Sequence, residues 1–339
     1  MSSKKVKIVI PEGYSSRQNV RETEIAIKMV KDHFERELAD TLNLTRVSAP
    51  LFVDPSTGLN DNLNGIERPV GFDIKEISRE VEIVHSLAKW KRMALGMYGF
   101  KPGEGIYTDM NAIRRDELLD NLHSVYVDQW DWELVITHNE RSIEYLKRIV
   151  KDIFSCFCRT QNHMLRYYPF LEKKLPQDIF FITSQELEDL YPNLSPKQRE
   201  DEICREKKAV FIMQIGNNLA SGIKHDGRAP DYDDWTLNGD ILFWYPLLNR
   251  ALEVSSMGIR VDSKAMINQL ELSGCENRKT LEFHKSVIEN LIPLSIGGGI
   301  GQSRICMYFL DKAHVGEVQS SVWPDEMVNK CKEMKINLL

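Results

Sequence analysis

The sequence predicts an α+β fold, a mostly antiparallel sheet flanked by helices, and three features predict it. Strand-like runs follow one another without an intervening helix at 105–110 and 122–135, and again at 238–245 and 251–261, spacing that suits hairpins. Two long stretches outside those pairs, 18–44 and 140–171, carry apolar residues three or four apart, as amphipathic helices do. The run 122–135 alternates like a strand yet puts Gln129, Asp131 and Glu133 on one face and Asp128 beside Trp130 and Trp132 on the other. Acids in mid-strand are costly in an ordinary core. Such a strand lines a polar cleft or forms a sheet edge facing water.

In order, the first helix shows Val20, Ile27, Val30, Phe34, Leu38 and Leu42 between charges. Residues 45–53 then read as a β-prone run kept at a sheet edge by Pro50, which cannot donate to a ladder. Residues 54–65 are dense in turn formers and present Asp61. A strand over 81–85 is followed by a helix for which Ser86 is the expected cap; its Lys89, Lys91 and Arg92 suggest a solvated face or an anion site. Between the strands at 105–110 and 122–135, Arg114-Arg-Asp-Glu117 reads as a surface turn or as a phosphate-gripping loop.

The helix over 140–171 carries no chemistry of its own. Further on come a strand at 179–183, a helix from Ser184, a helix capped by Ser195 with Pro196 in its first turn, and a buried-type strand at 209–216. The next pair of strands brings Asp240 and Glu253 onto neighbours, with Ile241, Leu242, Leu252 and Val254 around them. Two close carboxylates repel unless a cation lies between them, which suggests Mg²⁺. Near the end, Gly297-Gly-Gly-Ile-Gly-Gln-Ser-Arg304 lacks the endings of a P-loop or dinucleotide fingerprint. It is expected to be a tight backbone leading into a helix whose first turn holds Arg304.

The chain has 339 residues, 42% of them hydrophobic and 28% charged, the balance of a folded globular protein. No linker divides it, so residues 18–339 are expected to form one domain and 1–17 an amino-terminal extension. The net charge of -6 argues against a nucleic-acid partner. No apolar run is long enough to span a membrane, and the six cysteines lack a disulfide or zinc pattern. A cytoplasmic location is expected.

The helix with a proline-bearing strand, the arginine loop between strands, and the glycine entry to an arginine helix resemble, in order, the signature motifs of class II aminoacyl-tRNA synthetases. From about Val20 onward the chain more closely resembles ammonia-dependent asparagine synthetases (aspartate–ammonia ligases). The words that carry this include Asp61-Asn-Leu, Val84-His-Ser-Leu-Ala-Lys-Trp-Lys91, Leu122-His-Ser-Val-Tyr-Val-Asp-Gln-Trp-Asp-Trp-Glu133, Arg228-Ala-Pro-Asp-Tyr-Asp-Asp-Trp235, Leu237-Asn-Gly-Asp240 and Ser255-Ser-Met-Gly-Ile-Arg260.

The resemblance implies a class II synthetase-like catalytic domain that forms β-aspartyl-AMP from aspartate and ATP, releases pyrophosphate, and lets ammonia displace AMP. It implies that Arg114 grips the α-phosphate, that Glu117 and Leu122 lie at adenine, that Arg228 and Asp233 help bind ATP, and that Arg304 stacks on adenine or clamps the phosphate tail. Asp240 and Glu253 would hold Mg²⁺. Ser86, Lys91, Gln129, Asp131, Ser256 and Arg260 would form the aspartate pocket, and Asp61 would orient or deprotonate the incoming ammonium. A homodimer through the first helix and the Pro50 strand is expected. Family members often carry a longer insertion after Trp235, where this chain has only Thr236. The alternatives are an aspartate-activating enzyme with another acceptor and a silent amino-acid-binding paralogue, which would be expected to lack one of Arg114, Asp240, Glu253 or Arg304; all four are present.

Overall fold

The computed structural model describes residues 8–61, 63 and 67–339; the start of the expected extension and residues 62 and 64–66 of the turn-rich loop lie outside the described residues. In chain order the elements are α1 (Val20–Leu42), β1 (Leu44–Arg46), β2 (Phe52–Val53), β3 (Gly71–Ile74), β4 (Arg79–Ile83), α2 (Ala88–Met97), β5 (Gly105–Ile113) and β6 (Tyr126–Val135). There follow α3 (Ile143–Tyr167), β7 (Phe180–Thr183), α4 (Ser184–Leu190), α5 (Pro196–Lys207), β8 (Ala209–Met213), β9 (Asp233–Tyr245) and β10 (Arg250–Arg260). The last are α6 (Ser263–Leu272), α7 (Glu282–Ile288), β11 (Ser295–Gly301), α8 (Gln302–Phe309) and α9 (Asp325–Glu333).

The main sheet runs β1-β5-β6-β11-β10-β9-β8-β7. Its interior pairs are antiparallel, while β1 with β5 and β7 with β8 at the two edges are parallel. The α+β expectation therefore holds, with parallel edges that only the connections reveal. The expected strand over 45–53 is split: β1 joins the main sheet, β2 joins a small sheet with β4 and β3, and Pro50 lies between them. Thr236 is inside β9, so no separate loop follows Trp235.

One face of the sheet is greasy and covered by α1, α3 and α8. Asn19 caps α1 with a reciprocal bond to Glu22, and the buried stripe Ala26, Val30, Phe34 and Leu38 turns inward. Phe34 packs between Trp130 of β6 at 4.8 Å and Phe157 of α3 at 4.7 Å. On the other face α2 and its cap residue Leu87 cover β5 and β6 with Trp90 and Leu95, and α5 covers β8 and β9 with Ile203 and Cys204. The middle of that face is left open.

Two strand details decide what points there. In β10 the ladder slips between Glu253 and Ser255, and such a bulge shifts side-chain parity by one. Leu252 and Val254 before it, and Met257 and Ile259 after it, all join the core. Glu253, Ser256 and Arg260 accordingly share the open face. In β11 the glycine run is an extended central strand between β6 and β10, not the tight backbone expected from composition. Its glycines make space: a Cβ on Gly297 would sit 2.0 Å from Glu133 Oε2, and one on Gly299 would sit 2.3 Å from Gln129 Oε1. Alanine at Gly297 is expected to destabilise the fold by about 1–3 kcal/mol through forced displacement of a buried side chain, read as a lower urea midpoint at unchanged slope.

Candidate active site

A cavity of about 570 Å³ opens over β6, β11 and β10, a size that suits a nucleotide with a small second substrate. Every site residue expected from the sequence lines it except Asp240. Arg228 lines the cavity and donates to Asp240, which lies behind it.

The floor is charged and buried. On β6, Gln129, Asp131 and Glu133 project from the open face while Trp130 and Trp132 enter the core. Lys91 reaches down from α2: its Nζ donates to Asp131 Oδ1 at 2.8 Å and to the carbonyls of Trp132 and Gly298, each at 3.0 Å. Arg260 forms a fork with Glu133, Nε to Oε1 at 2.9 Å and Nη2 to Oε2 at 2.7 Å, and its Nη1 donates to Asp233. Asp233 is therefore taken up by Arg260. Of the guanidinium's five N–H groups these bonds use three, which leaves two.

Burial pushes the Glu133 carboxyl up, but Arg260, Lys91 and a 2.7 Å bond from Ser295 Oγ hold it below its usual value. Burial pushes Lys91 below the usual lysine value against the pull of Asp131 and Glu133. Asp131 Oδ2, Ser255 Oγ, Arg114 Nε and Arg228 Nε are buried without a hydrogen-bond partner among the described residues. Native interiors rarely leave such groups idle, so these four atoms mark where a polar ligand belongs.

Basic side chains enter from three directions. Arg114 follows β5, Arg228 precedes β9, and Arg304 sits in the first turn of α8, its Nη1 donating to the Glu253 carbonyl at 3.0 Å. Glu117, whose N–H donates to the Arg114 carbonyl at 3.1 Å, and buried Leu122 complete that end. Asp240 and Glu253 share the sheet face: Asp240 pairs across the ladder with Ser256, and Glu253 with Leu242. Burial and then, against the pull of Arg228, the charge of Glu253 push the Asp240 carboxyl up to about 7. Burial also pushes Glu253 up, yet Arg304, Lys197 and Arg228 hold it below its usual value. Two hard oxygen donors that raise each other's cost of ionisation would suit a magnesium ion, whose charge offsets that repulsion.

Some expectations are corrected. The Lys89, Lys91 and Arg92 side chains are at most 2% exposed, so the triplet is no solvated face. Ser86 is not the cap of α2; Leu87 occupies that position, and the Ser86 hydroxyl accepts the Ala88 N–H at 3.1 Å. Sequence reasoning also gave no site role to Glu133, or to Lys197, which lines the cavity from the first turn of α5. An acid amid tryptophans was the available sign for Glu133; for Lys197 there was none.

Comparison with known proteins gives this geometry a family. The model of the Aspartate-ammonia ligase family matches residues 21–335. A protein of Ruminiclostridium cellulolyticum named aspartate–ammonia ligase is 66% identical over 333 residues, 98% of this chain and 99% of that one. One of the same name from Clostridium tetani is 62% identical over 334 residues, 98% of each chain. Among solved structures, Entamoeba histolytica asparaginyl-tRNA synthetase in complex with asparaginyl-adenylate superposes with a TM-score of 0.65 at 12% identity, over 88% of this chain. The chain spans 66% of that protein's length. Pyrococcus horikoshii asparaginyl-tRNA synthetase, also with asparaginyl-adenylate, gives 0.65 at 13% identity over 89% of this chain and 70% of that one. These likenesses show a class II synthetase fold.

Proposed function

The chain belongs to the aspartate–ammonia ligase family, and we propose that the cavity on its sheet is where aspartate, ATP and ammonia are brought together. The protein is a ligase that makes asparagine from aspartate and ammonia at the expense of ATP. A carboxylate is a poor electrophile, so the aspartate β-carboxylate attacks the α-phosphorus of ATP, pyrophosphate leaves, and β-aspartyl-AMP results. Ammonia's lone pair then forms the C–N bond, the C–O bond to AMP breaks, and the surplus proton passes to a base. The convergence of Arg114, Arg228 and Arg304 with the Lys91–Asp131 pair in one cavity supports this most directly: three cations for a phosphate chain, and an acid with one idle oxygen for an ammonium.

In this scheme Arg114 grips the α-phosphate, Arg228 and Arg304 hold the rest of the nucleotide, with Arg304 stacked on adenine or clamped on the phosphate tail, and Glu117 and Leu122 border adenine. Asp233, expected at ATP, instead holds Arg260 and so serves the aspartate pocket. Gln129, Asp131, Ser86 and Ser256 orient aspartate, while Arg260 and Lys91 supply positive charge beneath its carboxylates. Asp240 and Glu253 would hold Mg²⁺, which screens the crowded phosphates when bound. Asp61 is buried and its carboxyl is pushed up by burial, against the pull of Lys89, which brings it closer to the pH at which a general base is useful. Asp61→Asn is expected to leave aspartate-dependent ATP–pyrophosphate exchange near normal while slowing asparagine formation by about 10²-fold or more. Equal loss in both assays would give Asp61 another task.

We also propose a single catalytic domain over 18–339, with the described part of the extension tied to it: the Val9 N–H donates to Asn121 Oδ1 at 2.8 Å and the Tyr14 hydroxyl to Glu317. The homodimer proposed is one through α1 and the Pro50 segment, next to which Leu51 and Phe52 are exposed. Among the described residues no helix is long and apolar enough to cross a membrane. The six free cysteines fit the cytoplasm.

The reaction is tested by following AMP, pyrophosphate and asparagine together with purified protein, Mg²⁺, ATP, aspartate and ammonium. Equimolar products that require both aspartate and ammonium are expected. Aspartate-dependent exchange without asparagine would point to a different acceptor, and no reaction at all to a silent paralogue.

A further inference from the structure

Behind Asp61, outside the cavity, lies a buried ionic cluster that the reaction scheme leaves unused. Lys89, 1% exposed on α2, donates from Nζ to the Asn60 carbonyl at 2.9 Å and pairs with Asp231 Oδ2 at 2.9 Å. The same oxygen of Asp231, itself fully buried, accepts from Arg278 Nη1 at 3.0 Å and lies 3.0 Å from His284 Nε2 on α7. Neither Lys89, Asp231 nor His284 lines the cavity.

What the cluster grips is the backbone that carries Asp61. Asn60 Oδ1 accepts the N–H groups of Asp61 and His85, each at 2.9 Å, and His85 Nδ1 lies 3.0 Å from the Asp61 carbonyl. The same loop docks on α7 at Gly58, whose φ of +71° needs glycine and whose Cβ would meet Leu281 Cβ at 2.9 Å. Burying an ammonium is costly unless it is matched and bonded. Lys89 is matched to an acid, and its other bond goes to the carbonyl one residue before Asp61, not to any group on the phosphate side. Its charge also opposes the rise that burial imposes on the Asp61 carboxyl.

We propose that Lys89, Asp231 and His284 form a positioning relay that fixes the Asp61 loop for capture of ammonia and takes no part in forming the adenylate. This rests on the assignment of Asp61 to the ammonia step. The relay ties α2, the segment before β9 and α7 to one loop.

The test compares Lys89→Met, Lys89→Arg, the double variant K89M/D231N and Asp61→Asn as full-length proteins. Each is measured for aspartate-dependent ATP–pyrophosphate exchange and for asparagine formation against ammonium concentration. In Lys89→Met, Asp231 keeps Arg278 and His284, so its own charge is not left alone. Displacing a reacting group by about an ångström can cost about 100-fold; a rise in the KM for ammonium of roughly 10- to 100-fold is expected, with exchange within about twofold of normal. Lys89→Arg, which can serve both oxygens, is expected to restore most of the affinity, and the double variant to resemble Lys89→Met.

An unchanged ammonium KM in Lys89→Met, beside an impaired Asp61→Asn, overturns the relay alone. Parallel loss of exchange and asparagine formation, or loss of folded protein in both the single and the double variant, also overturns it, in favour of a purely structural role. If Asp61→Asn itself spares the ammonia step, the assignment of Asp61 falls first and the relay with it.

Discussion

Alanine at Arg114 is expected to lower aspartate-dependent ATP–pyrophosphate exchange by about 10³-fold or more, the scale on which a lost arginine acts in phosphoryl transfer. The α-phosphorus gathers negative charge from the attacking carboxylate and the leaving pyrophosphate at once, and preorganised cations act most strongly in such a partly desolvated site. Arg114 is half-buried, lines the cavity, and has its Nε unpartnered among the described residues, so its bonding capacity awaits a ligand. Lysine at the same position is expected to recover only part of the rate, because an ammonium cannot reproduce the planar, two-pronged grip on phosphate. Exchange that stays near normal in the alanine variant would remove Arg114 from the α-phosphate and point to Arg228 or Arg304 instead.

The second large effect concerns stability. Leucine at Arg260 would strand Glu133, which is fully buried, and would leave Asp233 without its guanidinium. Breaking a buried pair on one side costs about 3–5 kcal/mol, and a matching fall in the urea midpoint is expected. The pH dependence has a definite sign. With Arg260 in place the Glu133 carboxyl is held below its usual 4.5, so its pairing contributes stability above that pH and loses it as pH falls through the folded-state value. In the variant, burial dominates and raises that carboxyl. The difference between variant and parent should therefore be greatest near pH 8 and should narrow toward pH 5 as Glu133 takes up a proton. A deficit independent of pH would mean that lost packing, not the stranded charge, carries the cost.

Much of the fold could be read directly. Period-three-and-four stripes located α1 and α3, and alternation located β6 and told which of its side chains share a face, because both patterns are local consequences of backbone geometry. The site residues were found mainly through long words shared with a family, and the cavity brings all but Asp240 to its lining. Where expectation failed, a distant partner had intervened. Of the two readings of the Lys89, Lys91 and Arg92 triplet the solvated face fails, because each of its cations meets a buried acid or carbonyl supplied from another part of the chain. The glycine run suggested a tight backbone before a helix because glycine alone says only that a side chain is absent. Glu133, Gln129 and Arg260 show why it is absent.

Composition and periodicity were thus enough for the succession of helices and strands, since these depend on residue types and short spacings, and the words shared with a family supplied the kind of chemistry. Folding in three dimensions settled the rest. The bulge in β10 rotated Glu253 and Ser256 onto one face, the glycines of β11 opened the floor above Glu133 and Gln129, and the Lys89–Asp231 pair joined residues 142 positions apart behind Asp61. Each of these is a matter of register or long-range contact, and neither is encoded in the spacing of neighbouring residues.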